Sequence, residues 1–260
     1  MNRLLTALAV ATAMVASPLC MAAAPAAKPT IVLVHGAFAG SNSWNGVIKV
    51  LEKDGYTVVA AANPLRSLKG DAESVTNLLK GIDSPVVLVG HSYGGPVISE
   101  AAYGQANVKA LVYVAAFAPE VGESAVALSG KFPGATLGPA LAKPVELAGG
   151  GKDLYIQQSK FHSQFAADVP EADARLMAAT QRPVTEEALN EAATEPAWKT
   201  LPSWWIYGDK DKNIPPQAMQ FMAERAHSKQ TVVVKGASHV VMVSNPDAVA
   251  KLIEAAAKAS

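Results

Sequence analysis

The sequence predicts a doubly wound α/β domain: a mostly parallel sheet of about six strands, helices on both faces, and a helical cap inserted over one edge. Three observations carry this expectation. Apolar runs such as "TIVLVHG", "PVVLVG" and "KALVYVAA" are continuous rather than alternating, which is how strands buried on both faces read. Helix-like segments separate these runs, so strand and helix alternate along the chain. One long stretch, 119–202, breaks the rhythm and holds no clear β-run.

In chain order, a strand is expected at 30–36 and a helix at 45–53. A strand at 56–61 follows, then a helix at 71–82 with Asp71 as its N-cap. The strand at 85–90 leads into a helix at 95–103, and a fourth strand lies at 109–116. After the insertion come a strand at 203–208, a helix at 216–226, a strand at 230–236 and a last helix at 246–258. That last helix begins "SNPD", with Asn245 at the cap and Pro246 at the first helical position, a favoured start. Inside the insertion, helices are expected near 153–165, 171–179 and 185–193. Its Leu154, Tyr155, Phe161, Phe165 and Trp198 argue against disorder.

Residues 1–24 read as a secretory signal peptide. Arg3 gives a positive start, Leu4 to Val15 form an apolar run, and the small residues of "CMAAAPAAKP" suit cleavage near Ala22, Ala23 or Ala24. The run is short for a membrane span, which takes roughly 20 apolar residues. The expectation is a secreted or periplasmic protein, soluble once cleaved, with 25–260 as its one domain and no membrane span. Cys20 is the only cysteine, so the cleaved chain would have no disulfide, no catalytic thiol and no thiolate metal site. Lys+Arg and Asp+Glu number 22 each. With no basic block in the chain, this balance argues against nucleic acid as a partner.

The chemistry centres on "VVLVGHSYGGPV". Here Ser92 occupies a G-x-S-x-G pattern directly after a strand and directly before a helix, the context that such a nucleophile turn requires. Gly90 and Gly94 let neighbouring backbone approach, Gly95 relieves crowding further, and the helix N-terminus favours negative charge beside the serine. A serine hydroxyl needs a base, and the base an orienting carboxylate. These follow in chain order, each at the end of a strand. After "SWWIYG", Asp209 and Asp211 compete for the acid; after "TVVVKG", His239 is the one histidine in position. His35 reads as a loop support, His91 as pointing away from the site, His162 as a cap residue that is solvated or lines a pocket, and His227 as the end of a helix.

Together "VLVHGAFAGSNSW", "VVLVGHSYGG", "LVYVAAFAPE", "WWIYGDKDKNIPP" and "GASHVVMVSNPDAV" resemble the α/β-hydrolase superfamily. More narrowly, they are similar to its branch of small esterases, methylesterases and hydroxynitrile lyases. The resemblance implies Asp211 as the acid, since Gly208, Asp211 and Pro215 match the family spacing. It also implies an oxyanion hole from the backbone N–H groups of Tyr93 and Ala37, with Phe38 as the lesser choice for the second donor. The activity it implies is hydrolysis of small carboxylic esters through a Ser92–His239–Asp211 triad and an acyl-enzyme, with no cofactor and no metal. Lyases of the branch carry a lysine after the catalytic histidine and tend to have threonine where Gly36 stands. Here Val240 follows His239, so the esterase is favoured over the lyase. The same triad would also serve a cofactor-free perhydrolase or haloperoxidase, or a small-molecule receptor of slow turnover. Phe38, Tyr93, Phe117, Phe161, Phe165 and Met242 are the candidate pocket residues, for a small apolar ester.

Overall fold

A computed structural model describes residues 28–259; the expected signal peptide lies outside the described residues. The chain opens with β1 (Thr30–Val34), α1 (Asn45–Lys53), β2 (Val58–Ala61), α2 (Leu68–Lys80), β3 (Val86–His91), α3 (Gly94–Ala101) and β4 (Val108–Val114). The stretch after β4 holds α4 (Ala125–Gly130), β5 (Val145–Glu146), β6 (Lys152–Leu154), α5 (Gln158–Phe165), α6 (Glu171–Thr180), β7 (Val184–Thr185) and α7 (Glu186–Asn190). The alternation then resumes with β8 (Ser203–Gly208), α8 (Pro216–Arg225), β9 (Gln230–Val234), α9 (Val241–Ser244) and α10 (Pro246–Lys258).

The main sheet has six strands in the order β2-β1-β3-β4-β8-β9, and every pairing in it is parallel. Its four inner strands explain the continuous apolar runs. β1, β3 and β8 are buried at every residue, and β4 at all but Lys109. The two edges differ from that expectation: β2 is mostly half-buried, and β9 is half-buried or exposed along its length. α1 and α10 pack together on one face, α2 and α3 on the other. Trp205 of β8 is fully buried and stacks on Tyr113 of β4 at a 4.6 Å centroid separation.

This strand order positions the site. The chain passes from β1 outward to β2, then returns across β1 to β3, so the winding reverses between β1 and β3. In open α/β sheets, the crevice at the carboxyl ends of the strands flanking such a reversal is where ligands bind. The segments leaving those two ends carry His35-Gly36-Ala37 and Ser92-Tyr93.

Two expectations need correction. Asp71 is not the N-cap of α2. The helix starts three residues earlier, and Ser67 caps it by accepting the Gly70 N–H at 3.1 Å; Asp71 sits in the first turn, fully buried. The insertion is not purely helical either. β5, β6 and β7 form a small antiparallel sheet, with strands of two or three residues, too short for an alternating pattern to register. Asn245 stands at the start of α10 as expected, but its side chain makes no capping bond.

Candidate active site

Ser92 sits at the turn between β3 and α3 with φ 53°. That left-handed conformation costs a non-glycine residue of order 1–3 kcal/mol unless the surroundings impose it. The end of β4 does so: the Ser92 N–H donates to the Val114 and Ala115 carbonyls at 3.3 and 3.2 Å, and its carbonyl accepts from Phe117 N–H at 3.2 Å. The glycines permit the crowding. A Cβ on Gly90 would lie 2.5 Å from the Gly94 carbonyl oxygen, and one on Gly95 2.0 Å from that of Phe117.

His239 follows β9 and is 1% exposed. Its Nδ1 lies 2.7 Å from Asp211 Oδ2. The other Asp211 oxygen accepts the N–H groups of Asn213 and Ile214 at 2.8 and 3.0 Å. The carboxylate is therefore oriented by its own loop and in turn orients the ring. This arrangement places the proton on Nδ1 and leaves Nε2 bare; Nε2 is buried without a hydrogen-bond partner. Ser92 and His239 line one cavity. Asp209, the competing acid, is engaged elsewhere: it accepts the Gly236 N–H at 2.6 Å and joins the ends of β8 and β9.

The two N–H groups expected to face a developing oxyanion are uncommitted. Neither Tyr93 N–H nor Ala37 N–H has an acceptor among the described residues, whereas Phe38 N–H donates to the Arg182 carbonyl at 3.1 Å. Gly36 brings the two turns together. A Cβ there would lie 2.6 Å from both the His91 carbonyl oxygen and Ser92 Cβ, and 3.1 Å from Tyr93 N. The Tyr93 side chain points back into the protein, and its hydroxyl donates to Asp71 at 2.8 Å. Burial pushes the Asp71 carboxyl above the usual range, against the hydrogen bonds it accepts, the Arg66 N–H first.

Two histidines brace the site. His35 is fully buried, donates from Nδ1 to the Gly36 carbonyl at 3.0 Å, and accepts the Asn63 N–H at Nε2. Arg182, from the insertion, reaches the same Nε2 at 3.2 Å and the Asn63 carbonyl at 2.9 Å. Burial lowers the His35 pKa to about 4, so its ring stays neutral and can accept. His91 is the larger surprise. It stays out of the cavity, but its Nε2 donates to the His239 carbonyl at 3.1 Å and its ring lies 4.8 Å from that of His239. Burial first, and the neighbouring His239 second, hold His91 well below the usual histidine range. Nothing local in the sequence signals this pairing across 148 positions.

The cavity is lined mostly by apolar side chains, as small-molecule sites are. Of the expected pocket residues, Phe38, Tyr93, Phe117 and Phe165 line it; Phe161 and Met242 do not. Phe161 stands behind Phe165 at a 4.9 Å centroid separation, and Met242 is fully buried in α9. Helical spacing and apolarity cannot distinguish residues set one layer back from a wall itself. Ala125, Val126 and Ser129 of α4, together with Leu137, Leu189, Asn213 and Ile214, also line it and were not expected. Among the described residues, no group of three or more His, Cys, Asp or Glu side chains could hold a metal ion.

Comparison with known proteins agrees with the fold. The chain is 29% identical to the alpha/beta hydrolase nvfD of Aspergillus novofumigatus over 88% of this chain and 97% of that one. It is 26% identical to an alpha-hydroxynitrile lyase of Arabidopsis thaliana, covering 84% and 93%, and methylesterases of that plant are also relatives. Among solved structures, polyneuridine aldehyde esterase superposes with a TM-score of 0.76 at 20% identity, over 88% of this chain and 99% of that one. Residues 31–252 match the family model described as "Alpha/beta hydrolase family", and the chain therefore belongs to the alpha/beta hydrolase family.

Proposed function

We propose that this hydrolase cleaves small carboxylic esters through Ser92, His239 and Asp211. The observation that carries the reading is the buried 2.7 Å contact between His239 and Asp211, made beside a serine held at positive φ in the same cavity wall. Ser92 Oγ attacks the ester carbonyl carbon while its proton passes to His239 Nε2. Asp211 stabilises the resulting imidazolium and keeps the ring in the tautomer that accepts at Nε2. The carbonyl oxygen becomes an oxyanion held by the Ala37 and Tyr93 N–H groups; losing one such donor typically costs about 10²–10³ in turnover. The alkoxide leaves with the proton from His239. Water then attacks the acyl-enzyme, giving its proton to His239, and the acid is released as Ser92 recovers it. His91 stays neutral through the cycle, so no second positive charge opposes the imidazolium.

A hydroxynitrile lyase is the main rival within the family, and one relative bears that name. The cavity wall supports the hydrolase: among the described residues no lysine or arginine lines it, and Val240, the residue after His239, is fully buried. The test is fluorophosphonate labelling together with p-nitrophenyl ester hydrolysis. Ser92→Ala is expected to abolish labelling and to lower kcat by about 10⁶. Persistent labelling of that variant, or mandelonitrile cleavage faster than ester cleavage by the unmodified protein, would overturn the proposal.

A further inference from the structure

We propose that Asn213 is a specificity residue of this site. Its side-chain amide would donate to an acceptor oxygen in the substrate, so the preferred esters carry an ether, keto or hydroxyl oxygen near the scissile bond. This deepens the ester-hydrolase reading and rests on it. Asn213 is 5% exposed and lines the cavity with Ser92 and His239. Every other polar group of the residue is engaged. Its N–H donates to Asp211 at 2.8 Å, and its carbonyl accepts from the Ser129 hydroxyl at 3.3 Å. Its Oδ1 accepts from Gln164 Nε2 at 2.9 Å. Only Nδ2 is left, buried and without a partner.

The amide orientation follows from the network. Gln164 contacts the Lys212 carbonyl at 3.0 Å. A carbonyl can only accept, so the Gln164 atom there is the nitrogen. That same nitrogen faces Asn213, which must therefore present its oxygen. The free branch of Asn213 is the NH₂ group. A buried donor without an acceptor is costly, and such groups in folded proteins call for a specific explanation. Apart from Ser92, Ser129 and His239, the surrounding wall, including Phe117, Leu137, Phe165, Leu189 and Ile214, is apolar. One polar donor on an apolar wall is how small-molecule sites fix a ligand's orientation.

The test uses matched pairs that differ by exchange of CH₂ for oxygen. On the acyl side, p-nitrophenyl methoxyacetate is compared with the butanoate, and the 3-methoxypropanoate with the pentanoate. On the alcohol side, 2-methoxyethyl acetate is compared with butyl acetate. Each ratio of kcat/KM is measured for the unmodified protein, Asn213→Asp and Asn213→Leu. Asp keeps the oxygen that Gln164 contacts but removes the donor; Leu removes both polar groups. In at least one pair, the ratio is expected to fall about ten-fold in both variants, and the pair that responds locates the oxygen in the acyl or the alcohol half. A ratio that stays the same across all three proteins, in every pair, overturns the proposal and leaves Nδ2 holding an ordered water only. The unmodified protein showing no preference in its ratios beyond uncatalysed reactivity overturns it without recourse to the variants. Failure of the unmodified protein to cleave any of these esters overturns the hydrolase reading as well.

Discussion

The sheet side of the cavity is held by backbone, the insertion side more by side chains, beside a few backbone bonds such as that from Phe38 N–H to the Arg182 carbonyl. Ser92 is locked by three hydrogen bonds to main-chain groups at the end of β4 and just beyond it, and Asp211 by two N–H groups of its own loop. The insertion reaches the same space through long side chains. Arg182 reaches His35 and Asn63, Gln164 reaches Asn213, and Arg66 of the sheet domain pairs with Asp153 of β6 at 2.6 Å. Backbone anchors tolerate many sequences but few conformations; side-chain anchors are the reverse. Reactive atoms need fixed positions, whereas a substrate wall needs only to be replaceable, and the two halves are built accordingly.

Substitutions can break that contrast, beginning with the largest effect. Asp211→Asn is expected to lower kcat by about 10⁴, while Asp209→Asn changes it by less than a factor of about three because its carboxylate only joins two loops. Steady-state kinetics of both variants decides between them, and the opposite ranking would exchange the two acids. Next is Gly36→Ala, whose methyl group would press on Ser92 and the His91 carbonyl; kcat should fall by about 10²–10³ as the Ala37 and Tyr93 donors move apart. An unchanged kcat would show that the β1 turn is not part of the oxyanion site. Arg182→Ala, on the insertion side, should lower kcat/KM only about ten-fold, the scale of one or two lost hydrogen bonds. A loss as large as that of Gly36→Ala would erase the distinction between the halves.

The last effect is on stability rather than rate and follows from His35. Its folded pKa, about 4, lies below the unfolded value near 6.5, so the unfolded chain binds more protons between those values. The stability from a neutral His35 is complete above pH about 6.5 and is lost as pH falls towards 4, by on the order of 3 kcal/mol. His35→Gln should flatten the pH dependence of Tm in that window, and an equally steep dependence would shift the acid sensitivity to His91.

The six strands, the turn at Ser92 and the pairing of Asp211 with His239 were legible because each has a local signature: a continuous apolar run, a glycine pattern, a chain order. What escaped was non-local or too short. Ser67 outcompeted Asp71 as the α2 cap because Asp71 is drawn inward to Tyr93 and the Arg66 N–H, a contact that the hydropathy of 67–71 does not encode. The strands of the insertion leave no period to read. Met242 and Phe161 carry the composition of a pocket wall, yet do not line the cavity. Asn213 stands between the candidate acid and Pro215 with nothing local to mark it, and its meaning depends on Gln164, 49 positions away.

The bond from His91 to the His239 carbonyl has a mechanical consequence. β9, the strand that leads to His239, is an edge strand with only one neighbour, and edges fluctuate more than centres. His239 does not depend on that edge alone. It is pinned at its carbonyl to the residue before Ser92 and at Nδ1 to the loop after β8. The position of His239 beside Ser92 is thereby set by the end of β3 and the loop after β8 as well as by the edge strand.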